Sequence, residues 1–212
     1  MYILHDIFEG SYPVTQTFGA NPAYYGQFYI YGVKQKGHEA VDFGLPVGIK
    51  VLSPFDGKIL RSGYQPDFPN YGQVVCIWDP VQKCAVWFCH LSEVSVQTGQ
   101  TINQGQVIGK SGQTGNIFGP HLHFGLVETD SNGNRLHQYD GYGGFINPLG
   151  SQIKWALGTP PVDPYVVKFD QLKIAIDRLK TETDTLNSQT DKKAAYEATM
   201  EKVKKIAATG NL

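Results

Sequence analysis

Cysteine is scarce in this 212-residue chain: Cys76, Cys84 and Cys89 are the only three, and no CxxC pair is present. A small, odd number excludes a disulfide framework and leaves buried free thiols as the expected state. A surplus of charge is missing too. Eighteen Lys and Arg face nineteen Asp and Glu, for a formal net charge of −1. With no basic field to release counterions from phosphates, no nucleic-acid partner is expected. Long apolar runs are absent, so no segment is expected to span a bilayer and no integral membrane contact is expected. The opening residues, MYILHDIFEGSYP, lack the basic n-region and continuous apolar h-region of a secretory signal. Disorder is excluded by what is present, a hydrophobic content of 41%, which is enough for one good core with or without an appendage.

The chain changes character near Gly158. Residues 165–208 hold no glycine but 16 of the 37 charged residues. A Pro-rich stretch, 159–164, stands at the border and reads as a stiff linker, because proline fixes φ and removes a donor. Beyond it, Phe169, Leu172, Ile176, Leu179 and Leu186 recur at helical spacing, and Tyr196, Met200, Val203 and Ala207 resume it after an NSQTD break. The pattern predicts a C-terminal helical segment over 165–212, as a hairpin or one long broken helix. Its apolar stripe is expected to pack on its own partner helix or on the main domain, or to dock a subunit or virion component.

Residues 1–158 read as mainly β. Runs of β-branched and aromatic residues at 73–79 and 83–90 flank Pro80-Val81-Gln82 as a hairpin. Shorter strands are predicted at 47–52, 57–60, 101–109 and 122–127. The expected architecture is a compact antiparallel β-sheet or barrel-sandwich core. Its first 31 residues carry nine aromatics, which predicts a well-packed irregular arm or a groove wall.

The chemistry lies in the histidines. His5 and His137 have no partner at metal spacing and are assigned to the surface. His38 and Asp42 are four apart in HEAVD, and even offsets on a strand share a face. His121 and His123 flank Leu122, an i, i+2 pair that a strand points one way and a helix splays apart. His90 ends an apolar strand. A catalytic zinc site takes three protein ligands and leaves an open position for water. His38, Asp42 and one of His121 or His123 can supply the three, leaving spare imidazoles for proton transfer and charge stabilisation.

In this order, HxxxD, then HLS (90–92), then SGQTGNIFGPHLHFG (111–125), the chain resembles the lysostaphin-type (LytM-like) zinc endopeptidases, which cut peptide bonds in bacterial cell-wall peptidoglycan. The likeness runs from PVTQTFG (13–19) to FINPLG (145–150) and includes VDFGLPVGIKVLSPFDGKIL and GQTINQGQVIGKSGQTG. The resemblance implies Zn2+ on His38, Asp42 and His123, with His121 as general base and His90 as a second non-ligand active-site histidine. It also implies a supporting tyrosine, for which Tyr29 and Tyr31 are the candidates, and a groove walled by residues 18–37, 63–72 and 129–144. One departure stands out: Ala40 occupies a position where the family usually has glycine, and some change of fine geometry is expected there.

The expected function is therefore zinc-dependent hydrolysis of peptide bonds in peptidoglycan cross-links or stems. The expected setting is a phage particle, tail-associated, or another route of delivery to the cell wall or periplasm. Two other readings use the same residues. A non-cleaving, zinc-bearing wall-binding or phage structural module would sediment with the wall without clearing it. A biotinyl- or lipoyl-type carrier would need an exposed lysine at a hairpin tip, and no MKM or DKA setting is present.

Overall fold

The computed structural model describes residues 1–156, together with 197, 198, 200 and 201. The chain divides into two compact units, Met1–Asp163 and Pro164–Leu212. In the second unit, Glu197, Ala198, Met200 and Glu201 are helical and exposed. The predicted linker at 159–164 lies outside the described residues. So do the rest of the helical segment and the docking role read from its stripe.

The first unit is built on an eight-stranded sheet. Its spatial order is Thr101–Ile102, Gly57–Tyr64, Gln73–Asp79, Cys84–Leu91, Leu122–Glu128, Val41–Phe43 and Val14–Gln16, with Phe145–Ile146 also paired to Leu122–Glu128. Every pairing in it is antiparallel. The predicted hairpin forms between Gln73–Asp79 and Cys84–Leu91. Asp79 closes its turn by accepting the Val81 and Gln82 amides at 2.7 and 3.0 Å. A second antiparallel sheet joins Glu93–Val94, Val107–Lys110 and Lys50–Leu52.

One run expected to be a single strand is divided between the two sheets. Thr101–Ile102 pairs with Gly57–Tyr64, whereas Val107–Lys110 pairs with Lys50–Leu52. The turn between them carries Gly105 at φ +75°, and the Gln106 amide donates to the Asn103 carbonyl at 3.1 Å. Glycine meets that left-handed requirement without a Cβ penalty.

Alternation along the long strands separates two apolar clusters. Val86, Phe88, Leu122, Phe124 and Leu126 join Val51 and Ile108 of the second sheet in the main core. Ala85, Trp87, Cys89 and Val127 face the other way, with Val74, Cys76 and Phe145. All three cysteines are free and buried. Burial pushes the Cys76 and Cys84 thiols up to about 12, which keeps them protonated and inert.

The aromatic N-terminal region is partly core and partly surface. Leu4, Ile7, Phe8 and Val14 enter the main core, and Tyr2–Leu4 pairs in parallel with Ile153–Trp155. After a short helix, Pro22–Tyr25, the chain presents Phe28, Tyr29 and Tyr31 to solvent. No helix among the described residues is long and apolar enough to cross a membrane.

Candidate metal centre

The floor of the site is the strand Leu122–Glu128 and its neighbours. His123 stands directly across from Asp42 on one side and from Cys89 on the other. Leu122 and Phe124 point into the main core, so the pleat turns His123 to the opposite face. His38 arrives differently. The strand that holds Asp42 begins only at Val41, so His38 sits in a bend before it rather than on the continuous strand expected from the spacing. Two backbone bonds hold it there: the His38 amide donates to the Ala20 carbonyl at 2.9 Å, and the Gly19 amide to the His38 carbonyl at 2.8 Å. Gly37 permits this approach, since a Cβ there would stand 2.5 Å from the Gly19 oxygen. Ala40 is fully buried, and its φ is not among the positive ones; the turn does not need glycine at that position.

Three ligand atoms converge. His38 Nε2 lies 3.2 Å from His123 Nδ1 and 3.4 Å from Asp42 Oδ1, and His123 Nδ1 lies 3.1 Å from Asp42 Oδ1. A tetrahedral ion about 2.0–2.1 Å from each ligand separates its ligands by about 3.3 Å, so the triangle fits zinc. Asp42 Oδ1 is buried without a hydrogen-bond donor, as a cation-binding oxygen would be before its ion arrives. Burial opposes ionisation of Asp42, but the adjacent His123 and His38 rings outweigh it and hold the carboxyl well below the usual carboxylate range. The same pairing acts on His123. Burial pulls its pKa down, while Asp42 and Glu39 raise it, and the net shift is upward. His38 Nδ1 donates to the Thr17 carbonyl at 3.3 Å, which leaves the Nε2 lone pair available to a cation.

Two further imidazoles adjoin the triangle. His121 Nδ1 donates to the Gly119 carbonyl at 2.9 Å, leaving a lone pair on Nε2, 3.8 Å from Asp42 Oδ2. His90 Nδ1 donates to the Thr114 carbonyl at 2.9 Å, leaving its Nε2 lone pair free as well. Strict alternation from Phe88 would send His90 into the core. Instead the pairing slips between Val75↔Phe88 and Gln73↔Leu91, and His90 adopts φ +64°. This bulge, with a non-glycine residue in left-handed conformation, turns the ring to within 4.7 Å of His121 and 5.6 Å of His123, centroid to centroid. Burial, then the neighbouring His123 and His121, lower the His90 pKa to about 3. His137 is exposed beside Glu128, whereas His5, expected at the surface, is half-buried.

A groove of about 1060 Å³ opens over these side chains. Its walls come from residues 15–39, 61–71 and 116–119. The first two largely coincide with the expected 18–37 and 63–72. The third was expected at 129–144, but no residue of that stretch lines the groove, and the loop just before the HLH segment takes its place. Tyr29 and Tyr31 both line the groove, at 68% and 40% exposure. The tyrosines whose rings lie against the ligand histidines are others: Tyr25 is 5.3 Å from His38, and Tyr71 is 5.3 Å from His123. Gln16 Nε2 donates to the Tyr25 hydroxyl at 2.8 Å, and the Tyr71 hydroxyl donates to Glu39 at 2.6 Å. Sequence reasoning missed Tyr25, Tyr71 and Glu39. Of the three, only Glu39 carried a signal, as an acidic residue set between two ligands in an otherwise apolar stretch.

Comparison with known proteins agrees with this geometry. Residues 36–137 match Peptidase family M23. The chain is 38% identical over 100 residues to lysostaphin of Staphylococcus simulans, an alignment covering 45% of this chain and 19% of that protein. It is 34% identical over 90 residues to the peptidoglycan DD-endopeptidase ShyA of Vibrio cholerae, covering 42% of this chain and 20% of that one. The chain thus spans about a fifth of the length of these curated relatives. The solved catalytic domain of lysostaphin from Staphylococcus simulans superposes with a TM-score of 0.50 at 26% identity, covering 65% of this chain and 90% of that domain. Residues 36–137, a little under half of the chain, thus match peptidase family M23 and resemble its lysostaphin-type, LytM-like members.

Proposed function

We propose that this chain is a zinc-dependent endopeptidase that hydrolyses peptide bonds in bacterial peptidoglycan. The observation that carries the proposal is the set of three convergent ligand atoms beside two imidazoles whose Nε2 lone pairs are free, at the floor of an open groove. His38 Nε2, Asp42 Oδ1 and His123 Nδ1 would hold the ion. When bound, zinc supplies Lewis acidity, acidifying a water and polarising the scissile carbonyl.

His121 takes the water proton at Nε2, because its Nδ1–H is committed to Gly119. His90 has its Nδ1–H committed to Thr114. It therefore offers a lone pair at Nε2, which accepts a hydrogen bond from the attacking water. The pair of rings lies close enough for both to reach one water. Return of the proton to the leaving amine completes hydrolysis. Tyr24 and Phe28 give the groove an aromatic wall. Relatives named as a glycyl-glycine endopeptidase and as peptidoglycan DD-endopeptidases make cross-links the favoured target class.

The test is digestion of purified sacculi, with mass spectrometry of the released fragments. New peptide termini should appear with zinc, disappear on phenanthroline treatment and return when zinc is restored. Protein that sediments with the wall and releases no fragment would instead support the non-cleaving module.

A further inference from the structure

Glu39 follows the first ligand in sequence and is only 4% exposed. A buried carboxylate has to be met by donors or by a cation. Two donors reach it: the Tyr71 hydroxyl at Oε1, 2.6 Å, and Gln35 Nε2 at Oε2, 3.1 Å. The same Oε1 faces His123 Nε2 across 4.0 Å.

His123 needs an acceptor on that side. Its Nδ1 belongs to the ligand triangle. A neutral imidazole that offers Nδ1 to a cation carries its proton on Nε2. That Nε2 is buried and has no hydrogen-bond partner. The other ligand ring is already tied, since His38 Nδ1 donates to Thr17. The Tyr71 ring also lies against His123, tilted by 33° at 5.3 Å. One tyrosine thus walls the ligand ring and holds the carboxylate that faces it. A closing shift of about 1 Å turns the 4.0 Å approach into a hydrogen bond. Charge favours the same arrangement, because two neutral imidazoles and one carboxylate leave a dication with excess positive charge that a second buried carboxylate offsets.

We propose that Glu39 is the positioning residue for His123: its carboxylate accepts the Nε2 proton when the cation site is filled and so fixes the tautomer that presents Nδ1 to the metal. Tyr71 and Gln35 hold Glu39 in place for this. The inference rests on the zinc reading above.

The experiment compares the full chain with its Glu39→Ala, Glu39→Gln and Tyr71→Phe variants. Zinc affinity is measured by competition with a chelating dye, and the histidine ring nitrogens and their protons by NMR. Glu39→Ala should weaken zinc about 10- to 100-fold. Glu39→Gln retains an acceptor and should fall between Ala and wild type, and Tyr71→Phe should show a smaller loss. In zinc-loaded wild type, a slowly exchanging His123 Nε2–H resonance should appear downfield. It should move upfield or vanish in Glu39→Ala, while the His38 Nδ1–H resonance stays. Should Glu39→Ala fail to fold, the same-sized Glu39→Gln and Tyr71→Phe carry the test through both readouts. Unchanged zinc affinity in the Glu39 variants, or an unmoved His123 Nε2–H resonance, overturns the positioning role while leaving the zinc site intact. Failure of the wild type to take up zinc overturns the proposed function itself.

Discussion

The strand Leu122–Glu128 and the segment 38–42 deliver the proposed ligand atoms by different physics. The strand works by period. Leu122, Phe124 and Leu126 fill the core, and the pleat has no choice but to turn His123 outward. The segment 38–42 works by a bend. Asp42 is placed by pairing with His123, but His38 is placed by backbone bonds to Gly19 and Ala20 and by the close approach at Gly37. The first kind of placement rests on buried apolar area. The second depends on a few hydrogen bonds from a separate loop, so the two sides of one ligand triangle should respond differently to perturbation.

The largest effect should erase that difference. His123→Ala removes the strand's ligand and Asp42→Ala the segment's, and each should leave a protein without bound zinc and without measurable hydrolysis. Metal content after dialysis, together with fragment release from sacculi, checks this. A variant that kept both zinc and activity would show that its segment is not a ligand source.

The next effect separates ligand from base on the strand itself. His121 is two residues from His123, and its Nε2 lone pair faces the site. His121→Ala should retain stoichiometric zinc and lose about 10²- to 10⁴-fold in kcat. Loss of zinc in that variant would move His121 into the ligand set.

Acid should act on the strand through His123, while the Asp42 carboxyl, held well below its usual range, stays ionised. For His123 the sign is clear. Its folded pKa is raised by Asp42, so without metal it binds a proton more readily folded than unfolded. That contribution is present below the unfolded value near 6.5 and is lost as pH rises through the folded value. Zinc needs the neutral ring. The rise in melting temperature on adding zinc should therefore grow from pH 5 to pH 8, measured by calorimetry with and without metal. A rise that is constant across this range would mean that no ligand proton is displaced.

The difference between the two segments also decided what was legible in the sequence. The HxH spacing and its apolar flanks predict a strand, and the strand Leu122–Glu128 is there with His123 on the polar face. The hairpin at Gln73–Asp79 was equally readable from β-branched runs around a turn. His38 and Asp42 were paired by a strand argument, and they meet through a bend instead. Even spacing is compatible with both, so the pair was visible and its geometry was not. His90 was visible as a strand end, but the bulge that aims it depends on how many residues lie opposite in the neighbouring strand, which no local pattern records. The groove wall at 116–119 and the tyrosines at 25 and 71 were hidden for the same reason, since a loop's destination is set by distant packing.

The smallest effect probes the bend at its one departure from the family pattern. Ala40 is fully buried and its backbone is not left-handed, so its methyl group meets no conformational penalty. The ligand atoms around it close to 3.1–3.4 Å with alanine in place. Glycine there would add only freedom to the unfolded chain and remove a packed methyl. Ala40→Gly should thus lower stability by about 0.4–1 kcal/mol from backbone entropy, with a further small loss from the methyl. Zinc affinity and kcat should stay at wild-type values. A gain in zinc affinity would instead mean that alanine strains the bend, and would place the weaker half of the metal triangle in the turn that carries His38.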